Sequence, residues 1–280
     1  MAIQANMNGV LAGKVAVVTG ASRGIGEAIA VRYAMEGARV IVSARTLNEG
    51  DNPMEGSVNG VVQNIKDAGG EATGVRCDLS SEDDRKNLVA EAERIYGPID
   101  ILVNNAAVTF FIPVVDFPER RYRLMQEVQV YSPFQLSQMV IPSMKERGSG
   151  GWIINVSSGA AQHPKPDAGG RGGTVYGMCK AALERFTTGL ASEVYQDNIA
   201  VNVISPGLVA TPGTVHHNLV GAEPTERETP VEHMAEACLK LAASDPKDLT
   251  GRIVLHPREL LEEFSLTPAE LPLQPLTRKS

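Results

Sequence analysis

Two short motifs carry residue types that could do chemistry. Tyr176-Gly177-Met178-Cys179-Lys180 opens a strongly helical stretch, so Tyr176 and Lys180 stand one turn apart on one face. A phenol near its ordinary pKa of about 10 holds its proton at neutral pH. A neighbouring ammonium favours the phenolate and is expected to lower that value. Upstream, Ile153-Ile154-Asn155-Val156-Ser157-Ser158 reads as a strand whose end delivers the Ser158 hydroxyl. A Tyr-x-x-x-Lys pair alone is common on helix surfaces. Behind a serine at a strand end, it reads as an acid–base set.

The second motif is Gly20-x-x-x-Gly24-x-Gly26, with Ser22, Arg23 and Ile25 between the glycines. It joins the apolar run Val15-Ala16-Val17-Val18 to a helical segment, Glu27 to Gly37. Glycines let backbone approach a pyrophosphate, and the free N–H groups of the helix start attract its charge. Three glycines alone mark no more than a tight turn, but a strand before and a helix and second strand after make it a dinucleotide cradle. The second strand ends Val42-Ser43-Ala44-Arg45-Thr46. A carboxylate there would bond the ribose 2′-hydroxyl of NAD. Arg45 stands there with Arg23 on the same side, and guanidinium groups match phosphate, so the expected cofactor is NADP(H).

The elements that must position these groups follow from pattern. Continuous apolar runs at Lys14–Thr19, Arg39–Ser43, Ala72–Cys77, Ile101–Val103, Trp152–Val156, Ala200–Ile204 and Ile253–Leu255 alternate with helical segments. Strands apolar on both sides belong to a parallel sheet covered on both faces. The expected fold is α/β: a Rossmann-type, doubly wound, seven-stranded parallel sheet with helices on both faces. Residues 1–280 read as one domain, with 257–280 a proline-bearing tail expected to end in poorly ordered chain. Thr46–Gly56, His163–Gly173 and Thr211–Pro230 read as loops.

At this point the sequence resembles the smaller, single-domain form of the short-chain dehydrogenase/reductase family, from Gly13 to about Leu255. The motifs stand in the family's order: Thr19 to Gly26, Cys77-Asp78-Leu79, Asn104-Asn105-Ala106-Ala107, Ser158, Tyr176-x-x-x-Lys180, and Asn202 to Gly207. The resemblance implies hydride transfer between nicotinamide and a ketone or secondary alcohol. Tyr176 would be acid or base, Ser158 would polarise the substrate oxygen, and Lys180 would tune the tyrosine and hold the ribose. Asp78 would bond the adenine amino group beside Leu79. Asn105 and Ala106 would line the cofactor through their backbone, and Asn104 would tie strands. Pro206, Gly207, Val209 and Thr211 would hold the nicotinamide end. It also implies a homo-oligomer, dimer or tetramer, built on helices in Phe117–Arg147 and Thr174–Tyr195.

The chain departs from the pattern in places. Where the family has a helical asparagine in a proton relay, counting back from Pro142 lands on Gln129. Ala107 replaces a glycine. The Thr46–Gly56 link and the stretch before Tyr176, with Asp167–Gly173 as the insertion, are extended. His256-Pro257-Arg258-Glu259 follows the last strand. A cofactor-reading sensor without catalysis, and a sugar-nucleotide epimerase, are the competing functions. The retained tyrosine and lysine speak against the first, and the glycine spacing against the second.

Composition narrows the rest. Acidic residues outnumber basic ones, 33 to 26, for a net charge of −7, which disfavours nucleic acid as a partner. No apolar run is long enough for a membrane span, and Met1–Asn8 lacks the pattern of a secretory signal. Cys77, Cys179 and Cys238 are scattered, and His216-His217 and His233 have no partners at metal-binding spacing. The expected setting is cytoplasmic, with a small carbonyl or alcohol as substrate and no metal. Thr109-Phe110-Phe111-Ile112-Pro113 suggests an apolar wall and thus a hydrophobic substrate.

Overall fold

The computed structural model describes residues 4–167, 169, 172–274 and 276–278. Seven strands, β1 (Val15–Thr19), β2 (Arg39–Ala44), β3 (Glu71–Arg76), β4 (Ile101–Asn104), β5 (Gly151–Val156), β6 (Ile199–Ile204) and β7 (Ile253–Val254), form one sheet in the order β3-β2-β1-β4-β5-β6-β7. Every pairing is parallel. The strand order reverses between β1 and β4, so the crevice outside their carboxyl ends is the expected ligand site.

Alternation along β1 shows why both faces need helices. Ala16 and Val18 enter one apolar layer, with α1 (Gly24–Met35), α2 (Val58–Asp67) and α8 (Val231–Ala243). Val15 and Val17 enter the other, with α3 (Glu82–Tyr96), α5 (Ser132–Arg147) and the end of α6 (Thr174–Glu193). Trp152 belongs to the first layer and donates its indole N–H to Ser244 O at 2.9 Å. The segment before α5 runs without a break from α4 (Glu119–Gln126) through a wide π turn at Glu127–Tyr131.

Three expectations need correction. The first helix starts at Gly24, inside the glycine motif, rather than at Glu27. Within the expected 211–230 loop, Pro212–His216 forms a short helix, α7, closed by reciprocal Thr211 and Thr214 capping bonds. The third concerns the tail. His256 caps α9 (Pro257–Glu263), accepting the Arg258 N–H, and bonds Thr229 at 2.9 Å. The chain then returns across α1, where Leu271 is 8% exposed and joins the core, and Arg278 pairs with Glu228 at 2.5 Å. Leucines between the prolines give this segment apolar surface to bury, so its described part is packed. Pro275, Lys279 and Ser280 lie outside the described residues, as do Met1–Ile3, and Ala168, Gly170 and Arg171 of the expected insertion.

Candidate active site

The glycine motif builds a close-packed turn. A Cβ on Gly26 would stand 2.4 Å from Gly20 O and 2.5 Å from Asn105 Nδ2, so no larger residue lets helix, strand and β4 loop meet here. Asn105 holds that junction, donating to Thr19 O at 2.9 Å and to Gly20 O at 3.2 Å. No side chain caps the start of α1. Its first-turn N–H groups are therefore left for an anion.

One cavity gathers Gly20, Ser22, Arg23, Arg45, Asp78, Leu79, Asn105 and Ala106, eight of the residues expected to hold a cofactor. Gly24 and Arg23 also line a neighbouring cavity under the tail. Ile25 packs against the core beside them. Burial works against ionisation of Asp78, but the Ser80 N–H and hydroxyl, with the Arg45 and Arg76 charges, hold its carboxyl below its ordinary value. Asn52 and Met54, from the extended link after β2, also line this cavity. Sequence reasoning missed them. Their only signal was the extra length of the link.

The residues expected to form the acid–base set meet where Ser158 follows β5 and the first turns of α6 carry Tyr176 and Lys180. Ser157 N–H donates to Ile204 O at 2.8 Å, and its hydroxyl to the buried Glu184 carboxylate at 2.7 Å. That fixes the chain as it turns to Ser158, whose hydroxyl accepts the Ala160 N–H and faces the Tyr176 phenol. Lys180 is 2% exposed and donates to Val156 O at 2.8 Å. Its amine lies 5.7 Å from the centroid of the Tyr176 ring.

The electrostatics differ from the sequence expectation. Burial lowers the Lys180 pKa to about 8. Burial also raises the Tyr176 phenol, opposed by Ser158. A lysine whose own charge is penalised by burial, and which is turned to a carbonyl, does not offset the desolvation of its neighbour.

Gln129 lies at the centre of the π turn, 1% exposed. Its Nε2 donates to Val108 O at 2.9 Å, not to Lys180, and its buried Oε1 has no partner among the described residues. Asn104 ties β4 to β5 through Asn155 Oδ1 at 2.9 Å. After β6, Thr211 stands against Gly24, while the Val209 side chain is buried in the core. Pro206 and Gly207 occupy the turn between β6 and that residue. Phe111 sets its ring edge-on to Tyr176 at 6.2 Å and to His217 at 5.7 Å, forming an apolar wall over the phenol. His163 is exposed on its loop, and Cys179 is fully buried.

A family model described as short chain dehydrogenase matches residues 14–219. The chain belongs to the short-chain dehydrogenase/reductase family. As a member of this family it is a dehydrogenase/reductase acting on CH–OH groups with a nicotinamide cofactor. Its relatives include the bovine dehydrogenase/reductase SDR family member 4, 40% identical over 199 residues, 71% of this chain and 66% of that protein. An uncharacterized oxidoreductase of Methylorubrum extorquens is 35% identical over 253 residues, 87% of this chain and 96% of that protein. Among solved structures, 7 alpha-hydroxysteroid dehydrogenase complexed with NADH and 7-oxo glycochenodeoxycholic acid superposes with a TM-score of 0.76 at 33% identity, covering 89% of this chain and 95% of that one. A variant of actinorhodin polyketide ketoreductase with NADPH gives 0.75 at 28% identity, covering 90% and 97%.

Proposed function

We propose that this short-chain dehydrogenase/reductase transfers a hydride between NADP(H) and a hydrophobic ketone or secondary alcohol. The observation that carries the cofactor choice is the shared cavity of Arg23 and Arg45, with Ala44 where a carboxylate would select NAD(H). The uncapped start of α1 would hold the pyrophosphate, Asp78 and Leu79 the adenine, Asn105 and Ala106 the middle of the dinucleotide. Pro206 to Thr211 would hold the nicotinamide end. When bound, the nicotinamide supplies or accepts the hydride.

In reduction, Tyr176 would give its phenolic proton to the substrate oxygen while Ser158 donates a hydrogen bond to that oxygen. Lys180 would hold the ribose hydroxyls, and its ammonium would stabilise the phenolate left behind. Gln129 occupies the relay position. Its bond to Val108 makes it a holder of the π turn more than a proton carrier. Phe111 over Tyr176 favours an apolar substrate, a reading in keeping with the steroid in the structure of its relative.

The 280 residues would act as one cofactor-binding and catalytic domain extended by the tail 257–280. Tyr131 and Phe134 are each 43% exposed on the outer side of the π turn and α5, which suits a homo-oligomer packed through these helices. Among the described residues no helix is long and apolar enough to cross a membrane.

The test is coenzyme oxidation against a panel of ketones. Wild type is expected to turn over apolar ketones with NADPH faster than with NADH. Tyr176→Phe should lose about 10²–10⁴-fold. A wild type that uses only NADH would refute the cofactor assignment. A Tyr176→Phe protein keeping more than about a tenth of the rate, roughly 1.4 kcal/mol of barrier, would refute the acid.

A further inference from the structure

The link after β2 is built, not slack. Asn48 N–H donates to Asp51 Oδ2 at 2.8 Å, and Asn59 Nδ2 to Asn48 Oδ1 at 2.8 Å. Val58 and Asn59 N–H groups bond Thr46 and Leu47 carbonyls, each at 3.0 Å. Its end grips the cradle. Arg23 Nε donates to Glu55 O at 2.7 Å and Arg23 Nη2 to Gly56 O at 2.6 Å. A guanidinium carries five N–H groups in a rigid fork, so these two bonds fix its plane and leave three donors to offer.

Gly56 makes that grip possible. Its φ is +98°, and a Cβ there would stand 2.6 Å from Ser22 O and 2.9 Å from Arg23 Cβ. Any other residue must push the link away from the arginine. On the other side, half-buried Asn52 lines the cavity that holds Arg23 and Arg45. Its Oδ1 accepts the Met54 N–H at 2.9 Å. What remains for the cavity is its amide NH₂, a donor. Of the carboxylates around Arg23 and Arg45, Glu49 accepts the Gly56 N–H at 3.2 Å, Asp78 accepts from Ser80, and Glu27 lies on the side of the neighbouring cavity. Two guanidiniums and an amide donor at one end of a cavity suit a phosphate monoester.

We propose that residues 46–56 form the third wall of a ribose 2′-phosphate subsite, in which Asn52 binds the phosphate and Glu55 and Gly56 position Arg23. The assignment rests on the NADP(H) reading above. It adds a binding residue and a positioning turn outside the glycine motif and the end of β2.

Calorimetric titration of the full chain with adenosine 2′,5′-bisphosphate and with adenosine 5′-monophosphate isolates this end of the cofactor. Wild type should prefer the bisphosphate. If it does not, the NADP(H) reading fails, and this one with it. Given that preference, Asn52→Ala should weaken the bisphosphate about tenfold, the size of one charge-assisted hydrogen bond. Binding of the monophosphate should stay within about twofold. Asn52→Asp, which puts a carboxylate against the phosphate, should weaken the bisphosphate further. Gly56→Ala should lower the preference towards that of Arg23→Ala, with the circular dichroism spectrum unchanged. A wild type that prefers the bisphosphate, beside Asn52 variants that keep the full preference, would overturn the proposal and leave the NADP(H) reading standing. Equal weakening of both nucleotides would also overturn it, since the link would then serve the adenosine alone. Should Gly56→Ala fail to fold, the two Asn52 variants decide.

Discussion

Burial bears directly on the charge of Lys180. Its side chain is enclosed, its hydrogen-bond partner is the carbonyl of Val156, and its pKa falls from 10.5 to about 8. Between pH 8 and 10.5 the unfolded chain therefore holds more protons on this residue than the folded one, so folding stability rises with pH across that window. Lys180→Met removes the group. The stability of Lys180→Met relative to wild type, both without ligand, should be most favourable below pH 8. That difference should fall by about 2 kcal/mol as pH rises to 10. Urea unfolding at pH 7, 8.5 and 10 measures it, and a flat difference would mean that the amine is not desolvated. Burial likewise raises the phenol of Tyr176. A lowered phenol requires an ammonium that stays charged beside it, and the ribose hydroxyls assigned to Lys180 would supply part of that support.

At the scale of the element, the π turn at Glu127–Tyr131 decides what Gln129 can do. A π turn inserts one residue into a helix and swings the following side chains around. Here it aims the Gln129 amide at Val108, on the chain leaving β4. The buried Arg85 braces the same region, donating to the Leu79 carbonyl and to Glu127 at 2.8 Å. Gln129→Ala should thus cost less than tenfold in turnover and about 1 kcal/mol in stability. One buried hydrogen bond is lost, while an unpartnered buried acceptor is removed with it. Gln129→Asn should leave turnover unchanged or modestly raised. Steady-state rates beside circular dichroism are the check, and a hundredfold loss in a folded Gln129→Ala protein would make the glutamine a working relay.

The whole molecule depends on the returning tail. Leu271 joins the apolar layer that α1, α2 and α8 share, and Gln274 N–H reaches the Glu27 carboxylate at 3.5 Å. Burial raises the Glu27 pKa to about 7 in the first turn of the cradle helix. Leu271→Ala is expected to cost about 2–4 kcal/mol, as for other buried leucines. That corresponds to a fall in Tm on the order of 3–7 °C for a chain of this size. Differential scanning calorimetry measures it, and an unchanged Tm would place the tail in solvent rather than in the core.

The sequence alone determined the sheet, its helices and the family. Those rest on local patterns: apolar runs bounded by glycines, and motifs whose order along the chain follows the order of strands. Gly20 to Gly26, Asp78, Asn105 and Ser158 were readable as candidates because each lies at or just past a strand end that the pattern marks, and Tyr176 and Lys180 because their spacing of four sets them on one face of a helix. What needed tertiary structure was contact between segments distant in sequence. The tail's return over α1 depends on Leu271 finding an apolar layer, which no local pattern marks. The protonation of Tyr176 and Lys180 depends on how completely neighbouring segments exclude water. Asn52 and Gly56 gained a role only because residues some thirty positions after Arg23 fold back onto it, and backbone carbonyls that receive a guanidinium carry no side-chain signature in the chain.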